Sequence, residues 1–322
     1  MDSLRSLAVS QQIGLLFWVG FGLLMLITVV ALGRTLRERS AAELALQEQF
    51  GRDLVAVWVG AVLFWIAWVA GAVVSNLLFG IVSFLALREF VTLMHTRRGD
   101  HRSLLLAFFV VLPLQYVIVA TREFDLFTVF IPVYVFLAIP VVSALGNDPQ
   151  RFLERTAKIQ WGIMVCVYGM SHAPALLLLE LPGDAGRGAF LVLYLVVVVA
   201  VAQIVQEAAS RRLRRRPVAR AISRSFSWPG WLIGACAAAL AGGLLYWATP
   251  FKPVPAVLMG FVAGGSGTLG ELVMKALKRD AGVRSWRGRA SVTGAVGLLD
   301  RVAALCFAAP VFFHSVRWYF GF

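Results

Sequence analysis

The sequence predicts an all-α integral membrane protein that crosses the bilayer about ten times, with both termini outside the cytoplasm. Of the 322 residues, 60% are hydrophobic and only 15% are charged, whereas soluble globular proteins have about 25% charged residues. Apolar stretches recur along the chain without a polar block large enough to fold alone. We therefore expect a single membrane domain over residues 1–322.

Each apolar stretch is long enough to form a membrane helix. About 20 apolar residues cross the hydrocarbon core as a helix, and this length defines predicted spans at 12–33, 54–75, 76–94, 104–121, 126–146, 159–181, 188–206, 231–248, 255–274 and 297–319. The first stretch is too long for the apolar part of a signal peptide and is followed by Arg34 and Arg37. We expect it to stay in the membrane.

The distribution of positive charge supports this arrangement, because Lys and Arg concentrate in cytoplasmic loops and each span reverses the side. The alternate loops 34–53, 95–103, 147–158, 207–230 and 275–296 hold 23 of the 30 Lys and Arg residues. We therefore predict that these loops are cytoplasmic. The pattern is compatible with a bacterial inner membrane.

Charge and cysteine content argue against several functional classes. The net charge of +13 is found in nucleic-acid-binding proteins, but here the basic residues lie in short loops between apolar segments. We expect anionic lipid head groups, and not nucleic acid, to be their partner. Cys166, Cys236 and Cys306 lie within apolar stretches and form no CxxC pair. We expect them to be packing residues, and neither a disulfide framework nor a zinc site is predicted.

Polar residues inside the spans or at their ends are candidates for a site, because a charge near the bilayer centre costs about 2.5–3.5 kcal/mol. They are Arg88, Glu89, His172, Gln203, Gln206, Glu207, Glu271, Asp300 and Arg301. Arg88 and Glu89 are typical of a helix that ends at the cytoplasmic surface. For His172, a hydrogen bond to a neighbouring helix is favoured over a role as a ligand.

The last third of the chain has the strongest candidates, because charges and glycines gather there at two predicted cytoplasmic loops. The first loop has six arginines within ten residues, up to Arg220. They would bind phosphates or serve only to orient the chain in the membrane. The second loop begins in the glycine-rich stretch 264–270, which also suits plain helix packing. Glu271 and Asp300 add two carboxylates that would share a metal ion if they lay close together.

An ordered series of motifs runs through residues 80–320. The segments Lys278-Arg-Asp-Ala-Gly-Val283, Gly297-Leu-Leu-Asp-Arg301 and Phe307-Ala-Ala-Pro-Val-Phe-Phe-His314 follow each other at fixed spacing. Upstream lie Ala86-Leu-Arg-Glu-Phe90 and the loop from Ile222 to Gly230. These motifs resemble those of the phosphatidate cytidylyltransferases, the CDP-diacylglycerol synthases. The resemblance assigns residues 76–322 to that family and leaves 1–75 as additional N-terminal helices.

The resemblance implies a reaction in which the phosphate of phosphatidate attacks the α-phosphate of CTP and releases pyrophosphate, with Mg²⁺ neutralising the charge. The catalytic positions that it implies are Lys278, Arg279, Asp300 and Arg301. The ligand-binding positions are Ser223, Gly270, Gly282, Gly294 and Gly297. The metal positions are Glu271 and Asp300.

Several positions depart from the family pattern. An acidic residue of the family corresponds to Gln203 here, and the Glu and Ser that follow the acidic residue at Glu271 become Met274 and Lys275. The other replaced positions are Ser225, Phe226, Pro229, Arg284, Ser285, Ala295 and Ala303. About four acidic positions are lost, so the family's arrangement of two metal ions is not expected.

Two functions therefore stay open. One is an active phosphatidate cytidylyltransferase-like enzyme. The other is a catalytically silent paralogue that binds an anionic lipid or a CTP-like head group, or assists another phospholipid enzyme; a direct ion pair of Asp300 with Lys278 or Arg279 would favour it. A transporter is a third class, but no inverted repeat is visible. The sequence leaves the oligomeric state open, a homo-oligomer included.

Overall fold

The computed structural model describes residues 9–35, 70–94, 96–181, 187–213, 217–223, 225–282 and 297–321, together with positions 58, 62 and 65. Every regular element in these ranges is helical, as the sequence predicts. The chain forms two compact units, residues 1–71 and 72–322. We describe each by itself.

The first unit contains helix α1, Val9–Thr35. The aromatic rings of Phe17 and Trp65 meet edge to face with their centroids 4.8 Å apart. The indole nitrogen of Trp58 donates to Thr28 Oγ1 at 2.9 Å. These contacts show that Trp58 and Trp65 pack on α1. The predicted span at 54–75 falls mostly outside the described residues.

The second unit contains eight helices within the described residues. They are α2 (Ala72–Thr92), α3 (Arg98–Ala120), α4 (Phe124–Ala144), α5 (Phe152–Leu178), α6 (Gly188–Leu213), α7 (Trp228–Leu244), α8 (Pro253–Asp280) and α9 (Leu298–Phe320). All except α7 are long and apolar enough to cross a membrane, which makes 7 such helices in the described part of the chain.

The seven long helices coincide with seven of the predicted spans, from 76–94 to 297–319. Helix α7 is apolar but shorter, with 17 residues, and corresponds to the span predicted at 231–248. The span predicted at 12–33 lies within α1. The total of ten spans and the location of both termini outside the cytoplasm stay predictions.

Helix α9 lies at the centre of the second unit. It packs against α2, α5, α6 and α8. On one side, α2 to α5 enclose an apolar core that includes Phe90, Ile139, Ile163 and Cys306. On the other side, α6, α7 and α8 pack tightly on one another.

Small residues allow α6, α7 and α8 to approach closely. A Cβ atom on Gly260 would lie 2.6 Å from the carbonyl oxygen of Ala238, and one on Gly234 would lie 2.7 Å from that of Ala202. Both distances are too short for a side chain, so only glycine fits. This is the usual role of small residues between membrane helices. Within the glycine-rich stretch, a Cβ atom on Gly264 would likewise overlap the Cβ atom of Ala238, which agrees with the packing alternative at that position.

Helices α3, α4 and α5 each contain one π-helical turn. These turns are Ala107–Val111, Phe130–Val135 and Met164–Gly169. A π turn closes hydrogen bonds over five residues and therefore holds one residue more than an α-helical turn. In each helix, the sequence positions that form the apolar face consequently shift by one residue at this point.

Polar contacts define the two ends of the second unit. At one end, the Arg155 guanidinium lies 3.0 Å from Asp100 (Nε–Oδ1) and 2.6 Å from Asp148 (Nη1–Oδ2), which joins the first turn of α3 to the loop before α5. At the opposite end, Arg317 Nη2 donates to Asp125 Oδ1 at 3.2 Å. We call the first of these the basic end, because the basic loops 95–103 and 147–158 meet there.

Candidate functional site

The candidate site lies at the basic end, where α2, α6, α8 and α9 meet. Helix α8 has 28 residues and is therefore about 42 Å long, whereas the hydrocarbon core is about 30 Å thick. The helix is therefore longer than the hydrocarbon core by about 12 Å. Its last turn, at the basic end, carries Lys278 and Arg279.

A direct ion pair joins α8 to α9 in this site. Lys278 Nζ contacts Asp300 Oδ1, and the two side chains are 13% and 31% exposed. Lys278 lies in the last turn of α8 and Asp300 in the first turn of α9. The structure therefore brings together two of the predicted catalytic residues, in the arrangement that favours the silent alternative.

The other predicted metal ligand, Glu271, has different partners. Its Oε1 atom lies 2.6 Å from Lys275 Nζ, one turn further along α8. Its Oε2 atom accepts a hydrogen bond of 3.0 Å from Gln203 Nε2 on α6. Both carboxylate oxygens are thus engaged, by Lys275 where the family has a serine and by Gln203 where it has an acidic residue.

Glu89 is a member of the site that the sequence places only at a helix end. The side chain is buried, with 3% exposure, whereas the neighbouring Arg88 is exposed. Its Oε2 atom accepts a hydrogen bond of 3.0 Å from the backbone amide of Leu298, at the start of α9. An acceptor at this point satisfies an amide that no helical carbonyl can reach. Glu89 therefore ties the end of α2 to the helix that carries Asp300.

The loop before α7 lies against the end of α6. Gln206 Nε2 is 3.3 Å from the carbonyl oxygen of Ser225, and Ser227 Oγ accepts from the Gly230 amide at 3.2 Å as the N-cap of α7. Ser223 is buried, and its Oγ atom lies 3.4 Å from Ser225 Oγ. Among the described residues, Ser223 thus bonds within its own loop and not with the ion pairs of α8.

The predicted ligand-binding glycines serve different purposes. A Cβ atom on Gly270 would overlap the side chain of Phe307 on α9, so Gly270 is a packing residue. Gly282 and Gly297 have positive φ angles of 70° and 75°, which glycine adopts at little cost; they end α8 and begin α9. Gly294 lies outside the described residues.

Two cations of the site face outward. Arg279 and Arg301 are both exposed, next in sequence to the buried or half-buried members of the Lys278–Asp300 pair. A guanidinium offers several donors and binds phosphate oxygens in pairs. These two arginines are therefore the predicted catalytic residues with the best access to a phosphate ligand.

The described residues contain no group of three or more His, Cys, Asp or Glu side chains that could hold a metal ion. Glu271 and Asp300 are each bound to a lysine ammonium, which a cation would have to displace. The Mg²⁺ expectation, which also involves the segment 283–296 outside the described residues, stays a prediction.

His172 lies at the opposite end of the unit and takes no part in this site. It is fully buried, and its Nδ1 atom lies 2.7 Å from the carbonyl oxygen of Tyr168 in its own helix. The ring packs against Phe127 and Phe313, with centroid distances of 4.6 and 5.2 Å. His172 therefore forms a hydrogen bond, as the sequence predicts, but the acceptor lies in its own helix α5 and not in a neighbouring helix.

The cysteines also lie away from the site chemistry. Cys166 and Cys306 are buried in the apolar core, whereas Cys236 is exposed on α7. All three are free thiols. The burial of Cys166 and Cys306 agrees with the expectation of packing residues, whereas Cys236 is not buried by the described part of the chain.

Comparisons with known proteins agree with the motif series. A model described as the cytidylyltransferase family matches residues 51–319, which extends upstream of the region that the motifs delimit. The chain is 34% identical over 307 residues to the Escherichia coli (strain K12) protein named "Uncharacterized protein YnbB". The alignment covers 92% of this chain and 96% of the relative.

Proposed function

The chain belongs to the cytidylyltransferase family, and from this premise we propose that it binds the phosphate head group of an anionic, phosphatidate-type lipid without performing the family's metal-assisted transfer. The ligand binds at the basic end, on the cytoplasmic side of a bacterial inner membrane. Support for that side comes from the 23 Lys and Arg residues in the alternate loops.

The observation that carries this proposal is the pairing of both predicted metal carboxylates with lysine. Glu271 is held by Lys275 and Gln203, and Asp300 by Lys278. Transfer to a triphosphate depends on metal ions that neutralise its charge. A carboxylate whose oxygens are engaged by ammonium and amide groups is poorly prepared to hold such an ion.

The exposed arginines supply the lipid contact. Arg279 and Arg301 are exposed at the end of α8 and in the first turn of α9. We place these helix ends in the head-group layer, where a phosphate can approach the arginines while its acyl chains stay in the bilayer. Each guanidinium–phosphate hydrogen bond is charge-assisted and contributes about 1.5–3 kcal/mol. A zwitterionic lipid also has a phosphate, but its ammonium group would be repelled by the two guanidinium groups, so an anionic phosphate monoester is favoured.

Cytidylyl transfer from CTP to phosphatidate is the second candidate. It is favoured by one observation, since Lys278, Arg279, Asp300 and Arg301 all lie together at the basic end, at the junction of α8 and α9. In that case CDP-diacylglycerol and pyrophosphate are the products, as the family resemblance implies. Phosphatidate binding is common to both candidates, and only turnover distinguishes them.

The test uses the full chain purified in detergent or lipid nanodiscs. Phosphatidate should raise the melting temperature more than phosphatidylcholine does, and Arg279→Gln or Arg301→Gln should reduce the difference. Lys252→Gln removes an exposed cation at the start of α8, the opposite end of the helix, and should leave the difference unchanged. Equal shifts with both lipids would refute the proposal.

The same preparation is given labelled phosphatidate and CTP with Mg²⁺ or with Mn²⁺. We expect no CDP-diacylglycerol. Its formation at a rate that Asp300→Asn abolishes would overturn the silent function and establish the transferase.

A further inference from the structure

The carboxylate of Glu271 is satisfied from two sides. Lys275 Nζ lies 2.6 Å from Oε1 and Gln203 Nε2 lies 3.0 Å from Oε2. The Glu271 and Lys275 side chains are 24% and 32% exposed. The contacts come from two helices, so the carboxylate is fixed in position and not merely screened by a mobile lysine.

The local charges also balance. Glu271 and Lys275 are four residues apart on one helix, which is the spacing of a helical ion pair. Asp300 is also paired with a lysine, Lys278, but across two helices. Glu271 and Asp300 thus each have their own ammonium group, and a divalent cation added between them would be repelled by Lys275 and Lys278.

We propose that Lys275 acts as a built-in cation at Glu271, so that the site takes a metal-free phosphate monoester and binds it independently of divalent metal ions. This inference rests on the proposed function and specifies its ligand. A nucleoside triphosphate carries Mg²⁺ in water, and its metal would be repelled by Lys275 and Lys278. A phosphatidate phosphate has at most two negative charges and no neighbouring phosphate with which to chelate Mg²⁺, so it can bind the exposed guanidinium groups without a metal ion.

The inference makes Lys275 and Gln203 the residues that set ligand specificity. Replacing Gln203 with Asp while removing the Lys275 ammonium would leave two carboxylates close together without a countercharge. Two carboxylates completed by water are an ordinary Mg²⁺ site. The metal requirement is therefore expected to depend on these two positions jointly.

The experiment measures melting temperature of the full chain with Mg²⁺ or Mn²⁺ alone, and then with phosphatidate in EDTA. The natural sequence should show no saturable metal shift, and its phosphatidate shift should survive EDTA. The double variant Gln203→Asp/Lys275→Ser should gain a saturable rise of about 3 °C when Mg²⁺ exceeds its dissociation constant tenfold.

A matched control is Arg211→Ser, which removes the basic member of another four-residue pair, with Glu207 at 2.6 Å. Arg211 lies at the basic end of α6, and its replacement leaves the Glu207 carboxylate exposed to water. No metal response should therefore appear. Lys275→Arg keeps the charge and should behave as the natural sequence. If the double variant fails to fold, Lys275→Ser alone should show a weaker metal response.

The outcomes separate the inference from the proposed function. A saturable Mg²⁺ or Mn²⁺ shift of the natural sequence that Glu271→Gln removes would overturn the inference, as would a phosphatidate shift lost in EDTA. A folded double variant without any metal response would overturn it as well. Absence of a phosphatidate shift in all conditions refutes the proposed function, whereas the metal response of the variants, measured without lipid, still tests Lys275.

Discussion

Gly270→Ala distinguishes a packing glycine from a ligand-binding one. In the structure, the added Cβ atom would overlap Cβ, Cγ and Cδ2 of Phe307. Phe307 Cβ moves only with its backbone, so a change of rotamer cannot relieve the overlap and α8 must separate from α9. Overpacking of this kind costs about 1–3 kcal/mol, and we expect the free energy of unfolding to fall accordingly.

Helix propensity acts in the opposite direction, because alanine is favoured over glycine by about 1 kcal/mol in a helix interior. Gly80→Ala isolates this effect: the new Cβ on α2 would meet the Tyr116 ring at an ordinary 3.6 Å. The difference between Gly80→Ala and Gly270→Ala should therefore be about 1–3 kcal/mol.

Thermal unfolding in one detergent measures this difference, at about 2–4 °C for each kcal/mol. Phosphatidate binding is measured on the same samples. If Gly270→Ala has the same melting temperature as Gly80→Ala but no longer binds phosphatidate, the packing explanation is refuted. Gly270 is then a ligand-binding residue, as the family resemblance implies.

Three further predictions concern the basic end. Arg155→Met should destabilise the protein by about 3–5 kcal/mol, because it leaves Asp100 buried without its partner; Arg97→Met, at an exposed residue, should cost at most about 1 kcal/mol in the same melting assay. Hydrogen bonding to the Gln150 amide and the Arg155 guanidinium lowers the pKa of Asp148, so its stabilising contribution is complete above about pH 4 and is lost as pH falls further. Acid melting curves of Asp148→Asn should accordingly lack this loss. Glu89→Ala should cost about 1–3 kcal/mol by leaving a buried amide unsatisfied, whereas Glu89→Gln, which keeps an acceptor, should cost less when both are compared by denaturant titration.

The sequence predicts the membrane helices well because hydropathy and length are local properties. It is less accurate at their ends. The span predicted at 255–274 continues as α8 to Asp280, since backbone hydrogen bonds do not stop where apolar residues do. Composition alone marks the membrane boundary and not the end of the helix.

The contacts of the site also differ in how far they can be predicted: those between residues close in sequence can be, and those between distant residues cannot. The Glu271–Lys275 pair has the four-residue spacing that a sequence can reveal. The Glu89 contact joins residues 209 positions apart, and no periodicity indicates it. The Lys278–Asp300 pair is one of the arrangements that the sequence leaves open. The Lys275 contact is not expected from the family pattern, which has a serine at that position.

The π turns of α3, α4 and α5 bear on how this membrane domain tolerates changes in chain length. Each holds one residue in excess of a regular helix, so deletion of a residue within Met164–Gly169 would restore α-helical geometry rather than break the backbone ladder. Because the deleted residue is the one that the wider turn absorbs, the rest of α5 would keep its orientation, and Ser171 would keep its hydrogen bond of 3.1 Å from Gln115 on α3. Homologues one residue shorter here should therefore have a regular helix with the same side chains facing the interior.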